Sequence, residues 1–251
     1  SALERCFVTG VSPVTMDDVT SGFNIGTNYS LSFEFNEMMG FTEDEVRAML
    51  DYYRTTCEFH HTTDELIEGM KPWYDNYCFA TKSYGRTTMY NACMVLYVVD
   101  NYVRRSGNVP KNMLEDNIRT DYNKLRMLVR RDSEFGEDAS IIRRIVEQGY
   151  ITATLKTGFP ARSITDPRNF VSLLYYYGML TIGGVVGDRL KLIIPNNNVR
   201  LQYYQYLLDE YSSIHSIDIS DLDDAFDEAA LEGDWQPLIS FICKAYHDTT
   251  A

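Results

Sequence analysis

Hydroxyl-bearing residues near the start of the chain mark the first place where chemistry could occur. Residues 5–11 have the composition of a buried strand, and Thr9 and Ser12 lie where that run passes into Pro13. Small and hydroxyl residues are typical of the carboxyl end of a strand that borders a ligand crevice. They are equally typical of an ordinary turn from a strand into a loop. The residues leave both interpretations open, and Thr9 and Ser12 are the candidate site residues.

A second group resembles metal ligands in residue type. Cys57, His60 and His61 lie close together in the sequence, with Cys78 as a distant fourth residue. A closed zinc site needs four ligands at close spacing, so we expect ordinary loop residues and predict no metal site. The acidic stretch at residues 218–228 is not a calcium loop, because no register supplies both the required glycine and the required glutamate.

Patterns for complete catalytic sites are absent from the sequence. Neither GxxxxGK[ST] nor GxGxxG occurs, and none of the four histidines accompanies a nucleophile signature. The run from Asp188 to Lys191 lacks the acidic residue that a PD-(D/E)xK nuclease places two residues before its lysine. We therefore expect no complete active site in this sequence.

Composition limits the partners and the compartment. A net charge of -13 over 251 residues disfavours a polyanionic ligand. The five cysteines are odd in number and form no CxxC pair, which favours a reduced, cytoplasmic setting. There is no signal-peptide pattern and no apolar run long enough to cross a bilayer, so we expect a soluble protein without a membrane role.

Residues 169–208 are predicted to form a helix, a hairpin and a second helix, for which the three asparagines at 196–198 offer caps. Phe170, Leu173, Leu174 and Tyr177 follow one another at helical spacing, and Gly178 ends the helix. Strand-like runs at 179–182 and 189–194 flank a glycine-rich turn predicted at 183–188. The hairpin offers phosphates only Arg189, Lys191 and Arg200, so we expect no contact with nucleic acid through it.

The remaining segments are predicted to be mainly helical. Capping boxes begin helices at Thr42 and Thr62. Further helices are expected at residues 91–105, 117–129 and 141–146, a short strand at 151–155, and an αα-hairpin at 220–247 with a break at Gly233-Asp234. The aromatic cluster at 72–79 is typical of a core plug, although a base or an adenine ring could stack on it. The predicted fold class is therefore mainly α with a few short strands, an α+β chain.

Several segments resemble one family when they are taken together in order and spacing. They are Phe7 to Ser12 (FVTGVS), Gly40 to Val46 (GFTEDEV), Trp73 to Tyr77 (WYDNY), Tyr90-Asn91, Tyr177 to Ile182 (YGMLTI) and Ile194 to Arg200 (IPNNNVR). This order resembles the predicted AAA-ATPase-like proteins of Bacteroidetes and other gut bacteria, which carry a C-terminal PD-(D/E)xK nuclease-like domain. Asn76 stands where that family usually has glycine, and Ala92 stands where it has proline.

The resemblance implies a division into four parts. They are the last strand and loop of a truncated ATPase core (1–36), a helical lid (37–110), a winged-helix-like module (111–212) and an αα-hairpin connector (213–251). It also implies that Thr9 and Ser12 match the end of a sensor strand near the γ-phosphate of ATP-Mg²⁺. The unpaired strand at 5–11 fits this picture, because a central strand needs neighbours that we expect in an upstream core.

Two functions from different classes remain open. In the first, the chain is the lid and winged-helix part of a P-loop ATPase, and it couples nucleotide state to a C-terminal effector. Its partners are then the upstream ATPase core and the nuclease-like domain. In the second, the chain is a protein-interaction module with vestigial ATPase ancestry, which binds another protein or a second copy of itself.

Overall fold

The computed structural model describes residues 27–105, 107–110, 113, 140–158, 166–215 and 219–250. The predicted strand at 5–11, the candidates Thr9 and Ser12, and the predicted helix at 117–129 lie outside these described residues. The chain divides into two compact units, residues 1–200 and 201–251. The described part is mainly helical with a three-stranded antiparallel sheet, which agrees with the predicted α+β class. The predicted four-part division stays a prediction.

Three helices build the larger core of the first unit. They are α1 (Glu43–Arg54), α2 (Thr63–Tyr74) and α3 (Ala92–Arg104). Both predicted capping boxes are confirmed, because Glu45 N donates to Thr42 and Glu65 N donates to Thr62, and each glutamate accepts from its N-cap residue in return. The apolar faces of the three helices meet in one cluster that includes Leu50, Met70, Tyr90, Met94 and Tyr102.

Ion pairs connect α1 to α2 at the surface of this core. Lys71 Nζ lies 2.9 Å from Glu43 Oε2, and Arg47 contacts both Glu43 and Asp64. Hydrogen bonds from Lys71 first, and then from Arg47, hold the pKa of Glu43 below its usual value of 4.5. Glu43 therefore joins two helices through its ionised form.

Replacing Glu43 should make stability less dependent on pH. A carboxyl with a lowered folded-state pKa stabilises the fold above about pH 4.5, and this contribution is lost as the pH falls through the folded value. Glu43→Gln should lower the free energy of unfolding near neutral pH by less than about 1 kcal/mol, because solvent screens the pair. Urea titrations should show the gap closing below about pH 4. Glu68→Gln, at an exposed position of α2, is the control, and a gap that persists in acid would contradict the assignment.

The sheet follows a fourth helix in the first unit. Helix α4 (Ile141–Gln148) ends at Gly149, whose φ is +75°, and leads directly into β1 (Tyr150–Ala153). Helix α5 (Pro167–Tyr176) precedes β2 (Thr181–Val186) and β3 (Arg189–Ile193). The strand order is β1-β3-β2, and β3 pairs antiparallel with both neighbours. The predicted short strand and hairpin are therefore present, and they belong to one sheet.

The predicted six-residue turn of the hairpin is wrong. Strand β2 continues to Val186, so Gly187 and Asp188 alone separate it from β3. Gly183 lies at an irregularity in the strand pairing, and a Cβ there would come within 2.7 Å of the Ile193 side chain. Gly183 thus serves a bulge and close packing inside a strand, and neither it nor Gly184 belongs to the turn.

The second unit contains an αα-hairpin. Helix α6 (Asn197–His215) spans the boundary between the units and is followed by α7 (Ile219–Asp227), a π-helical turn (Glu228–Glu232) and α8 (Gln236–Thr250). Gly233 has a φ of +75°, so the predicted break at this glycine is confirmed. Ala225, Ala229 and Leu238 form the small core of the hairpin. Over the described residues, none of the helices has both the length and the apolar content needed to span a membrane.

Candidate functional site

The segment at residues 75–80, hereafter the junction segment, connects the helical core to the sheet of the first unit. It begins where α2 ends at Tyr74, and Asp75 adopts an extended conformation. Asn76 then takes a φ of +80°. Within the described ranges, it is the only non-glycine residue with a positive φ. Asparagine tolerates this left-handed conformation better than most residues, which explains how Asn76 can occupy the position.

One side of the junction segment is fastened to the start of β2. Thr181 Oγ1 accepts a hydrogen bond from Cys78 N at 2.7 Å and donates one to Cys78 O at 3.2 Å. The Tyr175 hydroxyl of α5 donates to Phe79 O at 3.0 Å. Thr181 is fully buried and lies 103 residues from Cys78 in the chain. Its side chain alone satisfies both the N–H and the carbonyl of this distant residue.

The other side is fastened to the turn before α6 and to an upstream loop. Asn196 Nδ2 donates to Asp75 O at 3.0 Å, while Asn196 Oδ1 accepts from Val199 N and caps α6. Asn76 Nδ2 donates to Pro195 O at 2.8 Å. Asn36 Oδ1 accepts from Phe79 N and Ala80 N at 2.9 and 3.1 Å. These bonds join parts of the chain that the family resemblance assigns to the core, the lid and the winged-helix-like module.

The aromatic cluster around the junction segment is a core plug. Tyr74 is fully buried and Tyr77 is 7% exposed. The Tyr77 and Phe79 rings stack on each other with their centroids 6.1 Å apart. Burial raises the pKa of Tyr77, and burial likewise raises the pKa of Tyr175. Tyr175 donates its hydrogen bond to Phe79 O as a neutral phenol, and the buried rings at Tyr74 and Tyr77 leave no open face on which an adenine could stack.

Two buried polar atoms beside the junction segment lack a hydrogen-bond partner among the described residues. They are Asp75 Oδ1 and the Tyr90 hydroxyl, on residues that are 4% and 1% exposed. Burial raises the pKa of Tyr90, and the negative charge of Asp75 adds to this rise. The Asp75 charge also raises the pKa of Lys71, although Glu43 has the larger effect. Asp75 thus brings negative charge close to the end of α2.

The three cations predicted on the hairpin have intramolecular contacts. An Arg189 guanidinium nitrogen donates to Thr152 O at 2.7 Å, and the Lys191 ammonium lies 4.5 Å from the centre of the Tyr150 ring. Arg200 donates to Asn197 Oδ1 at 3.2 Å. Residues 169–175 of α5 are buried. These three cations are thus engaged in contacts within the chain.

Cys57, His60 and His61 lie in a loop between α1 and α2 that packs against α3, whereas Cys78 lies in the junction segment. The backbone N–H groups of His60 and His61 both donate to the Tyr102 hydroxyl, and His61 Nδ1 lies 3.0 Å from the same oxygen. Within the described ranges, no group of three or more His, Cys, Asp or Glu side chains is arranged to hold a metal ion.

Ala92 stands where the family that the sequence resembles has proline, and its place in the helix explains this locally. Ala92 is the first residue of α3, and Asn91 caps that helix by accepting from Met94 N. The first helical position tolerates proline, since its N–H has no partner within the helix. Asn91 has a ψ of 113°, an extended value close to that preferred before proline.

We expect Ala92→Pro to stabilise the protein. Proline at a compatible position restricts the unfolded chain, which should raise the free energy of unfolding by about 0.5 kcal/mol. Thermal unfolding measures the change. The control is Cys93→Pro, because Cys93 is exposed and is the second residue of the same helix. A lower melting temperature for Ala92→Pro would show that the position does not accept proline.

Several residues that hold the junction segment were not predicted as site residues. Asn36, Thr181 and Asn196 are buried polar side chains that bond to backbone atoms far away in the sequence. Only Asn196 had a sequence signal, as one of three asparagines expected to cap a helix, and this cap is confirmed. Comparison with known proteins adds no relative, because no family model, curated protein or solved structure matches the chain.

Proposed function

We propose that the chain is the lid and winged-helix-like portion of a P-loop AAA-type ATPase, and that it transmits nucleotide state to a C-terminal effector. The observation that carries the proposal is the junction segment. Thr181, Asn196 and Asn36 bond its backbone to the sheet, to the start of α6 and to the loop before α1. Because each bond is buried or partly buried, a displacement of the helical core moves the sheet with it.

The order of elements supports a winged-helix-like arrangement. A helix and strand (α4, β1) are followed by a helix (α5) and by a hairpin whose second strand lies in the middle of the sheet. In this proposal α5 serves packing and transmission, because its residues 169–175 are buried and the hairpin cations are engaged within the chain. For the winged-helix-like module, the proposal thus favours transmission of motion within the protein over binding of nucleic acid.

ATP and Mg²⁺ belong to the proposal through the family resemblance. ATP would supply a γ-phosphate whose presence or loss distinguishes two states. Thr9 and Ser12 lie outside the described residues, and the described ranges contain no metal-ligand group. The contribution that the proposal assigns to the described residues is mechanical, and it rests on the bonds of the junction segment.

ATP binding and hydrolysis by the full-length protein test the nucleotide part of the proposal. Thr9→Ala and Ser12→Ala should each reduce turnover on the order of a hundredfold if these hydroxyls position the reacting groups. Thr56→Ala, which alters an exposed threonine after α1, is the matched control and should leave turnover unchanged. Circular dichroism checks that the variants are folded. Absence of ATP binding by the intact protein would refute the nucleotide-dependent function.

A protein-interaction module is the second candidate function. The observation that favours it is the exposure of large apolar residues in the second unit, including Leu231 at 82% and Trp235 at 59%. Exposed side chains of this size commonly mark a surface that another protein covers. The two candidates are separated by the nucleotide experiment, since an interaction module needs no ATP.

A further inference from the structure

Helix α8 has two apolar faces, and the αα-hairpin covers one of them. Leu238 is buried in the hairpin core, and Phe241 and Ala245 follow it at helical spacing as half-buried residues. Ile239 and Ile242 lie on a different face and are 57% and 56% exposed. A helix that is apolar on more than one side is typically covered on each of those sides.

The exposed face has the spacing of a helix-packing seam. Trp235, Ile239, Ile242 and Tyr246, hereafter the α8 stripe, are separated by four, three and four residues. Ile239 N donates to Trp235 O at 3.0 Å, so Trp235 continues the hydrogen-bond ladder of the helix. This alternation of four and three is the spacing of side chains that pack into the holes of a second helix. The stripe is about 16 Å long, which corresponds to three turns.

The composition of the stripe suits protein recognition. Trp235 and Tyr246 are 59% and 71% exposed, and aromatic residues of these types are enriched among the side chains that dominate binding energies. Single exposed apolar residues are common on any protein, whereas an ordered row on one helix face is not.

Charge identifies the kind of helix that fits. Residues 219–250 carry eight carboxylates against the single Lys244, a formal charge of -7. Seven of these carboxylates lie at exposed positions of α7, the π-helical turn and the loop before α8: Asp221, Asp223, Asp224, Asp227, Glu228, Glu232 and Asp234. A second copy of the chain would bring the same negative charge to the contact. Like-charge juxtaposition disfavours that pairing, and opposite charge favours a basic partner.

We infer that the α8 stripe is a docking surface for an amphipathic helix of another protein whose apolar seam is flanked by lysine or arginine. The Trp235, Ile239, Ile242 and Tyr246 side chains bury against the seam of the partner. The carboxylates of α7 and the connecting turn pair with its basic flanks and accelerate association. This inference is independent of nucleotide binding and of the junction segment.

A synthetic peptide of about 18 residues tests the inference, since this length supports a helix. The probe has leucines at the same alternating spacing, lysines on both flanks, and no tryptophan or cysteine. A matched peptide carries glutamate in place of every lysine. Tryptophan fluorescence of the intact chain should report saturable binding of the lysine peptide that weakens with salt, and no binding of the glutamate peptide.

Paired substitutions locate the binding face. Ile239→Ser with Ile242→Ser should raise the Kd of the lysine peptide at least about tenfold, since two buried aliphatic contacts are lost. Val185→Ser with Val186→Ser is the matched control. These valines are 52% and 53% exposed but lie on β2 in the first unit, and their replacement should leave the Kd unchanged.

Cysteine alkylation gives an independent readout. Cys243 is exposed next to Ile242, and Cys93 is exposed on α3 in the other unit. Bound lysine peptide should slow the alkylation of Cys243 severalfold, as measured by mass spectrometry, without changing that of Cys93. Three results would each overturn the inference: an unchanged Kd in the Ile239→Ser, Ile242→Ser variant, equal binding of both peptides, or self-association that this variant abolishes.

Discussion

Gly40→Ala should destabilise the first unit by about 3 kcal/mol or more, which is the largest effect we expect from a single methyl group. Gly40 has a φ of +94°, and a Cβ at this position would lie 2.5 Å from Tyr90 O. That oxygen accepts from Phe41 N at 3.0 Å, and Tyr90 N donates to Phe41 O at 2.7 Å. The methyl group must therefore displace the two backbone hydrogen bonds between Phe41 and Tyr90. These bonds hold the start of α1 beside the start of α3, which Asn91 caps.

Gly85→Ala separates the two causes of this loss. Gly85 also has a positive φ, +73°, but a Cβ there would meet no atom within 4 Å. Its replacement should cost only the backbone strain, about 1 kcal/mol. Chemical unfolding followed by Trp73, which packs against the helical core, measures both variants in a Trp235→Phe background. Equal losses for the two variants would show that the close approach at Gly40 has no energetic role.

Thr181→Val should destabilise the first unit by about 2 to 3 kcal/mol, the cost of leaving a buried donor unpaired. Valine has nearly the shape of threonine, so the change removes the hydroxyl while it preserves the packing. Cys78 N then loses its acceptor, and Cys78 O keeps only the longer bond from Ile182 N at 3.4 Å. The loss should appear in unfolding experiments that follow Trp73, because the junction segment leads directly from α2.

Thr181→Ser is the matched control for the hydroxyl. It keeps both hydrogen bonds to Cys78 and removes a buried methyl group, which should cost about 1 kcal/mol. The order of stability should be wild type, then Thr181→Ser, then Thr181→Val. If Thr181→Val were the more stable of the two variants, the methyl group and not the hydroxyl would hold the junction segment to β2.

Local signals in the sequence predicted much of the fold. The capping boxes at Thr42 and Thr62 depend on residues three positions apart, and both form as expected. The glycine stop at Gly178 and the break at Gly233 are likewise decided within one turn of chain, and both have positive φ values. In each case the interacting groups are neighbours in the sequence, so the pattern contains the information that determines the structure.

The junction segment could not be predicted in the same way. Thr181 and Asn196 bond to residues 103 and 121 positions away, and no local pattern points to these distant partners. Gly183 was misassigned to a turn for a related reason. Glycine is common in turns, whereas the demand for it here comes from the Ile193 side chain across the strand pair.

The direct test of transmission is amide hydrogen exchange in the full-length protein with and without Mg²⁺-ATP. If the junction segment transmits nucleotide state, ATP should change the exchange of amides in residues 181–193. Asn196→Leu should abolish that change without preventing ATP binding, because it removes the bond to Asp75 O. Identical exchange in this region with and without bound ATP would contradict the proposed coupling.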